Sequence, residues 1–185
     1  MKFGLHFGSR GVAGDPDSLI AIARTAETLG YEHFGMSDHV VVATDVESRY
    51  PYAASGRFFA QDSGESLEQV TALSFVAGAT ERIRLLTSVM VLPHRRPVLA
   101  AKMLATVDVL SKGRLTVGVG VGWMAEEIAL LEGPPFEERA AASDEYIAAF
   151  QELWTSPAPK SDGAHARFAN LLFAPKPVQR PYPPI

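Results

Sequence analysis

"TVGVGVGW", Thr116 to Trp123, alternates valine with glycine three times. β-Branched residues at every second position predict a strand, with Val117, Val119 and Val121 on one face. The other face carries only Gly118, Gly120 and Gly122. Glycine in a strand costs backbone entropy and packs nothing. Its repeated use predicts that something else comes close there: a helix, a neighbouring backbone or a flat ligand. The run is not a dinucleotide fingerprint. G-x-G-x-x-G needs glycine where this chain has Trp123, and its glycines belong at the turn after a strand.

Outward from this run, strand and helix patterns alternate. Upstream, Leu99, Met103, Val107 and Leu110 follow helical spacing from Pro97, with Gly113 as a stop. "RIRLLTSVMVLP" reads as a strand ended by Pro93. Leu67, Val70, Leu73 and Ala77 form a helical stripe, and Ser66 and Gln69 stand at capping-box spacing before it. "YEHFGMSDH" predicts a strand ending near Asp38-His39. "DPDSL" opens a helix, with Asp15 as cap and Pro16 in its first turn. "KFGLHFG", Lys2 to Gly8, is the first strand. Downstream, a helical region broken at "GPP" runs to Trp154, and Tyr146, Ile147, Phe150 and Trp154 make a core stripe. Strand and helix alternate about four times, the pattern of a parallel sheet with crossover helices.

The bulk numbers suit one globular domain: 185 residues, 47% hydrophobic, 21% charged, net charge -4. Nothing basic suggests a nucleic-acid surface. The absence of cysteine excludes disulfides, thiol chemistry and Cys-ligated zinc. No signal peptide or membrane-spanning stretch is seen, so the expected location is cytoplasmic, with no membrane partner. Seven of the 13 prolines follow Ser156. Residues 1–156 are therefore read as the α/β body and 157–185 as an extended Pro-rich segment, expected to make few contacts and to be cleaved readily by protease.

Asp38-His39 is the leading catalytic candidate. Polar residues at the C-terminal ends of strands build the active sites of β/α barrels. Histidine titrates near neutrality, and a neighbouring Asp could orient it. A long loop, roughly Val40 to Glu65, follows with "YPY" and "SGRFF"; loops this long are often functional. His6, His94 and Glu126 form a conceivable but poorly spaced metal set, lacking H-x-H or H-x-x-x-H, and no metal is expected; the hydrolase alternative would use His6, His39 and Glu126. His94 in "PHRRP" is read as a loop residue among arginines.

Four blocks occur in an order that resembles the bacterial luciferase-like monooxygenase superfamily. They are "GYEHFGMSDHV", the stretch from "TSVMVLPHRRP" through "GRLTVGVGVGW", "PFEERAAASDEYIAAFQELW" and "FAPKPVQRPYPPI". The "DHVV…YPY…G" loop is similar to the actinobacterial branch that uses an 8-hydroxy-5-deazaflavin (coenzyme F420). The resemblance implies an α/β fold, a TIM (β/α)8 barrel of which this chain carries the first four β/α units. It implies a cis Ser88-Val89 peptide in a bulge behind the cofactor ring. Thr87, Ser88, Val89, Gly120, Gly122, Trp123 and His6 are then cofactor-binding residues. His39 and Asp38 are catalytic, with Asp38 holding the imidazole. Tyr50, Tyr52 and Phe58 shape a substrate pocket. Some deazaflavin enzymes of the superfamily carry an acidic Glu where this chain has Trp123, a role that does not transfer.

The expected activity is hydride transfer between a deazaflavin and a small organic substrate. The alternatives are an FMN-dependent monooxygenase, a metal-dependent hydrolase and a non-catalytic flavin-binding fragment. A homodimer is expected through the helices at 66–78 and 97–110. Phosphate-binding loops of this fold follow its last strands, so the chain alone is expected to bind flavin weakly.

Overall fold

A computed structural model describes residues 1–61 and 63–185. Four parallel strands lie in sequence order in one sheet: β1 (Gly4–Phe7), β2 (His33–Met36), β3 (Arg84–Val91) and β4 (Leu115–Gly120). Helices α1 (Pro16–Thr28), α2 (Gln69–Ala79) and α3 (Pro97–Leu110) make the crossovers. After β4 come α4 (Ala125–Leu130) and α5 (Arg139–Thr155), then a hairpin of two two-residue strands, β5 (Ser161–Asp162) and β6 (Arg167–Phe168). This is the arrangement of a partial β/α barrel.

Strand parity sorts the side chains. Phe34, Met36, Leu85, Met90, Leu115 and Val117 are buried together with the apolar faces of the helices. The opposite face carries His6, Gly35, Ser88, Gly118 and Gly120. Asp15 caps α1 as expected, accepting from the Ser18 amide at 2.8 Å. The cap of α2 corrects the sequence reading. Glu68, not Ser66, is the cap, accepting the amides of Val70 and Thr71. Ser66 instead donates to the His39 carbonyl, and buried Gln69 donates to Met36 O at 2.7 Å and Val89 O at 3.3 Å.

The glycine run faces its neighbouring strand. The β3–β4 register shifts between Thr87 and Met90, and within that bulge the Ser88-Val89 peptide is cis. A Cβ on Gly118 would lie 2.3 Å from the Thr87 carbonyl oxygen, and one on Gly120 would lie 2.5 Å from Val89 Cγ2. Gly122, at φ +80, lies under Val91 and Ile128. Of the three occupants the sequence left open, the one seen is β3 itself: the glycines make room for its bulge.

The Pro-rich segment is docked, which corrects the expectation of few contacts. Fully buried Asp108 on α3 accepts from the Val178 amide (2.7 Å), the Gln179 amide (3.1 Å) and Gln179 Nε2 (2.7 Å). Lys176 donates to the carbonyls of Leu153 and Ser156 at the end of α5. Pro184 O accepts the Val117 amide on the outer edge of β4. Phe168, Phe173 and Tyr182 join the main core. Asp108→Ala strands three donors, at about 1–3 kcal/mol for each one left unsatisfied. Amide hydrogen exchange at Val178 and Gln179 is expected to quicken by about 10-fold or more. Unchanged exchange would show that this carboxylate does not hold the segment.

On the outside, Phe75, Leu99 and Leu110 are 51–60% exposed on α2 and α3. No helix among the described residues is long and apolar enough to cross a membrane.

Candidate active site

The strand ends converge on a cleft of about 420 Å³. β1 contributes His6, the residues after β2 contribute Ser37 and His39, the β3 bulge contributes Ser88 and Val89, and the end of β4 contributes Gly120, Gly122 and Trp123. Gly35 has no side chain, so the His6 ring passes over β2 and its Nε2 bonds the Ser88 carbonyl on β3 at 3.0 Å. Val89 is 43% exposed, an apolar side chain displayed beside Gly120. Thr87 departs from the expected role. It is buried and its hydroxyl donates to the Gly118 carbonyl at 2.8 Å, so it braces the bulge and does not reach the cleft.

The loop after β2 supplies an aromatic wall. Tyr50 packs within 5.2 Å, centroid to centroid, of both Phe58 and Trp123. Phe58 lies 4.6 Å from the His39 ring. Tyr52 sits at the rim, 83% exposed. Behind this wall a smaller recess of about 210 Å³ is shared by Tyr50, Phe58, Phe59, His39 and Arg10.

Beneath the cleft lies a network that sequence reasoning missed. Asp38 does not hold His39, contrary to expectation. Its carboxylate accepts two bonds from Arg95, at 2.7 and 2.8 Å, and one from the Val91 amide at 2.9 Å. Arg95 also reaches Glu68 at 2.5 Å. Burial works against the Arg95 charge, but the hydrogen bond to Asp38 and the charges of Asp38 and Glu68 outweigh it and raise its pKa. The carboxylate on His39 is Glu127, from the first turn of α4, accepting Nδ1 at 2.7 Å. The other Glu127 oxygen accepts the amides of Val40 (2.7 Å) and Val41 (3.2 Å). Burial pushes the Glu127 carboxyl up, yet these bonds and the nearby His94 and His39 hold it below the usual range. Its neighbour Glu126 accepts the amides of Glu47 and Ser48. The two glutamates thus tie the loop at two points, residues 40–41 and 47–48. His94 is buried on a 3-10 turn rather than lying in a loop, and burial lowers its pKa.

Among the described residues no three of His, Cys, Asp and Glu stand close enough to hold a metal ion. His6, His39 and Glu126 are not brought together as a ligand set.

The chain that builds this cleft, with its glycines, strand bulge and strand-end histidine, matches a family model. Luciferase-like monooxygenase, as that model is described, aligns with residues 1–185. The chain belongs to this family. The FMNH(2)-dependent dimethylsulfone monooxygenase of Pseudomonas putida is 35% identical over 142 residues, 75% of this chain and 39% of that protein. The F420-dependent glucose-6-phosphate dehydrogenase of Amycolatopsis mediterranei is 33% identical over 144 residues, 76% of this chain and 38% of that protein. The crystal structure of monooxygenase RslO1 from Streptomyces bottropensis superposes with a TM-score of 0.79 at 28% identity, over 99% of this chain and 52% of that one. The chain spans 38–58% of the length of curated relatives it matches. Relatives of this luciferase-like chain therefore include both FMN-dependent and F420-dependent proteins, and its fold is that of a luciferase-like barrel.

Proposed function

We propose that this chain carries the first half of the cofactor and substrate face of a deazaflavin-dependent oxidoreductase. The observation that carries the reading is His39, held by a buried carboxylate at the edge of a flat, largely apolar cleft. The residues present fit a planar tricyclic ring. Val89 displays an apolar surface, Gly120 and Gly122 present backbone without side chains, and Trp123 closes the far side. Ser88, Val89, Gly120, Gly122, Trp123 and His6 would hold such a ring. A bound deazaflavin supplies hydride chemistry at its C5 position. His39 gives or takes the accompanying proton on the substrate, and Tyr50, Tyr52 and Phe58 enclose that substrate and exclude water. Asp38 supports the floor through Arg95. Pairing of two copies through the exposed faces of α2 and α3 belongs to the same reading.

A second reading is an FMN-dependent monooxygenase. The identity to the Pseudomonas putida enzyme favours it, as does Trp123 in the place of an acid. An absorbance titration of each oxidised cofactor against the protein separates the two. The proposal expects a saturable shift of the deazaflavin visible band, larger than any shift of FMN. A shift with FMN alone supports the second reading. Because the chain alone is expected to bind weakly, the titration runs to millimolar cofactor, and no shift with either over that range removes both.

A further inference from the structure

One carboxylate does two jobs in this site. Glu127 is fully buried, and one of its oxygens accepts His39 Nδ1 at 2.7 Å. The other accepts the amides of Val40 and Val41, the first residues of the loop that carries the aromatic wall. We propose that Glu127 is a positioning residue that fixes His39 as the Nδ1–H tautomer and ties that tautomer to the anchoring of the loop.

The chemistry of the donor set carries this. An ionised carboxylate only accepts hydrogen bonds, so the ring nitrogen facing it must carry the proton. Three donors converge on Glu127: two backbone N–H groups that cannot change sign and one imidazole N–H that can. Neutral His39 therefore keeps its lone pair on Nε2, the nitrogen that Glu127 leaves available to the cleft. His94 does not compete, because its Nε2 is 3.7 Å from the same oxygen, beyond hydrogen-bond distance. The other histidine in the cleft is held the opposite way. His6 meets the Ser88 carbonyl through Nε2, so that nitrogen carries its proton. The cleft thus presents one imidazole as an acceptor through Nε2 and a second already committed as a donor.

The geometry makes Glu127→Gln a test that separates positioning from bulk. Glutamine has the same shape but one acceptor and one donor. Its oxygen can satisfy the two fixed amides only if its NH2 faces His39 Nδ1. That arrangement forces the proton of His39 onto Nε2.

The consequence for turnover rests on the reading of His39 as the proton-transfer group; the tautomer itself is read without activity. Ring-15N NMR of the full chain at about pH 8.5, above the ordinary histidine range, reports which nitrogen is protonated. The His39 signals are assigned by their loss in His39→Gln. In the unsubstituted protein His39 is expected to show protonated Nδ1 and unprotonated Nε2. In Glu127→Gln the two are expected to exchange, with the far-ultraviolet circular dichroism unchanged. An Nε2–H tautomer in the unsubstituted protein overturns the proposal, and that measurement needs no variant to fold. Retention of Nδ1–H in a folded Glu127→Gln protein also overturns it. An inverted tautomer with unchanged turnover supports the positioning role and removes His39 from the reaction.

Discussion

His39→Ala is expected to lower turnover at saturating deazaflavin by ~10²-fold or more, the usual contribution of a positioned general acid or base. Cofactor affinity, read from the absorbance titration, is expected to stay within about 3-fold, because the ring-holding surface comes from β1, β3 and β4. That split matters. The His39 ring also packs on Phe58 at 4.6 Å, so a purely structural role would disturb the aromatic wall and weaken substrate binding with little change at saturation. His6→Ala is the control. Its bond to the Ser88 carbonyl places it on the cofactor side, so its loss is expected to weaken cofactor binding more than turnover. Unchanged turnover in His39→Ala would take the residue out of the mechanism.

Arg95→Ala is expected to destabilise the fold strongly. Arg95 is the cation between Asp38 and Glu68, and Asp38 is 3% exposed. Removing one partner of a buried ion pair leaves an uncompensated charge and costs about 3–5 kcal/mol. For a chain of this size the melting temperature is expected to fall on the order of 10 °C. Asp38 also accepts the Val91 amide, so the end of β3 loosens with it. If Arg95→Ala is as stable as the parent, the network is not what holds the strand ends together. The double change Asp38→Leu with Arg95→Leu is expected to cost less than Arg95→Ala alone, since it removes the fully buried carboxylate, while Glu68 is partly exposed and keeps the amides of Val70 and Thr71.

The β/α alternation was legible because its signals are local: apolar periodicity, caps and breakers. Asp15, the strand around Thr87 and the stripe through Phe150 and Trp154 all fall where spacing placed them. The error over Asp38 came from treating neighbours in sequence as neighbours in space. Successive side chains on extended backbone point to opposite faces. Asp38 shares its parity with Phe34 and Met36, both fully buried, and so belonged to the helix-side core, where a carboxylate needs a cation. Arg95 in "PHRRP" was that cation. Glu127 gave no local signal, because it lies 88 residues from His39 and resembles an ordinary acid in the first turn of a helix. The docked tail did leave a trace. Asp108 interrupts the otherwise apolar buried face of α3, and a buried lone carboxylate implies donors from elsewhere in the chain.

The proposed function places a planar cofactor across the strand ends, between the β3 bulge and Trp123, beside His39. Backbone amide NMR shifts recorded during a deazaflavin titration test it most directly. The largest saturable changes are expected at Ser88, Val89, Gly120, Gly122 and Trp123, with His39 following; a second, apolar groove between α1 and α2, lined by Leu19, Leu67 and Phe75, is expected to stay unmoved. Changes centred on that groove, or scattered over the surface without saturation, would contradict it.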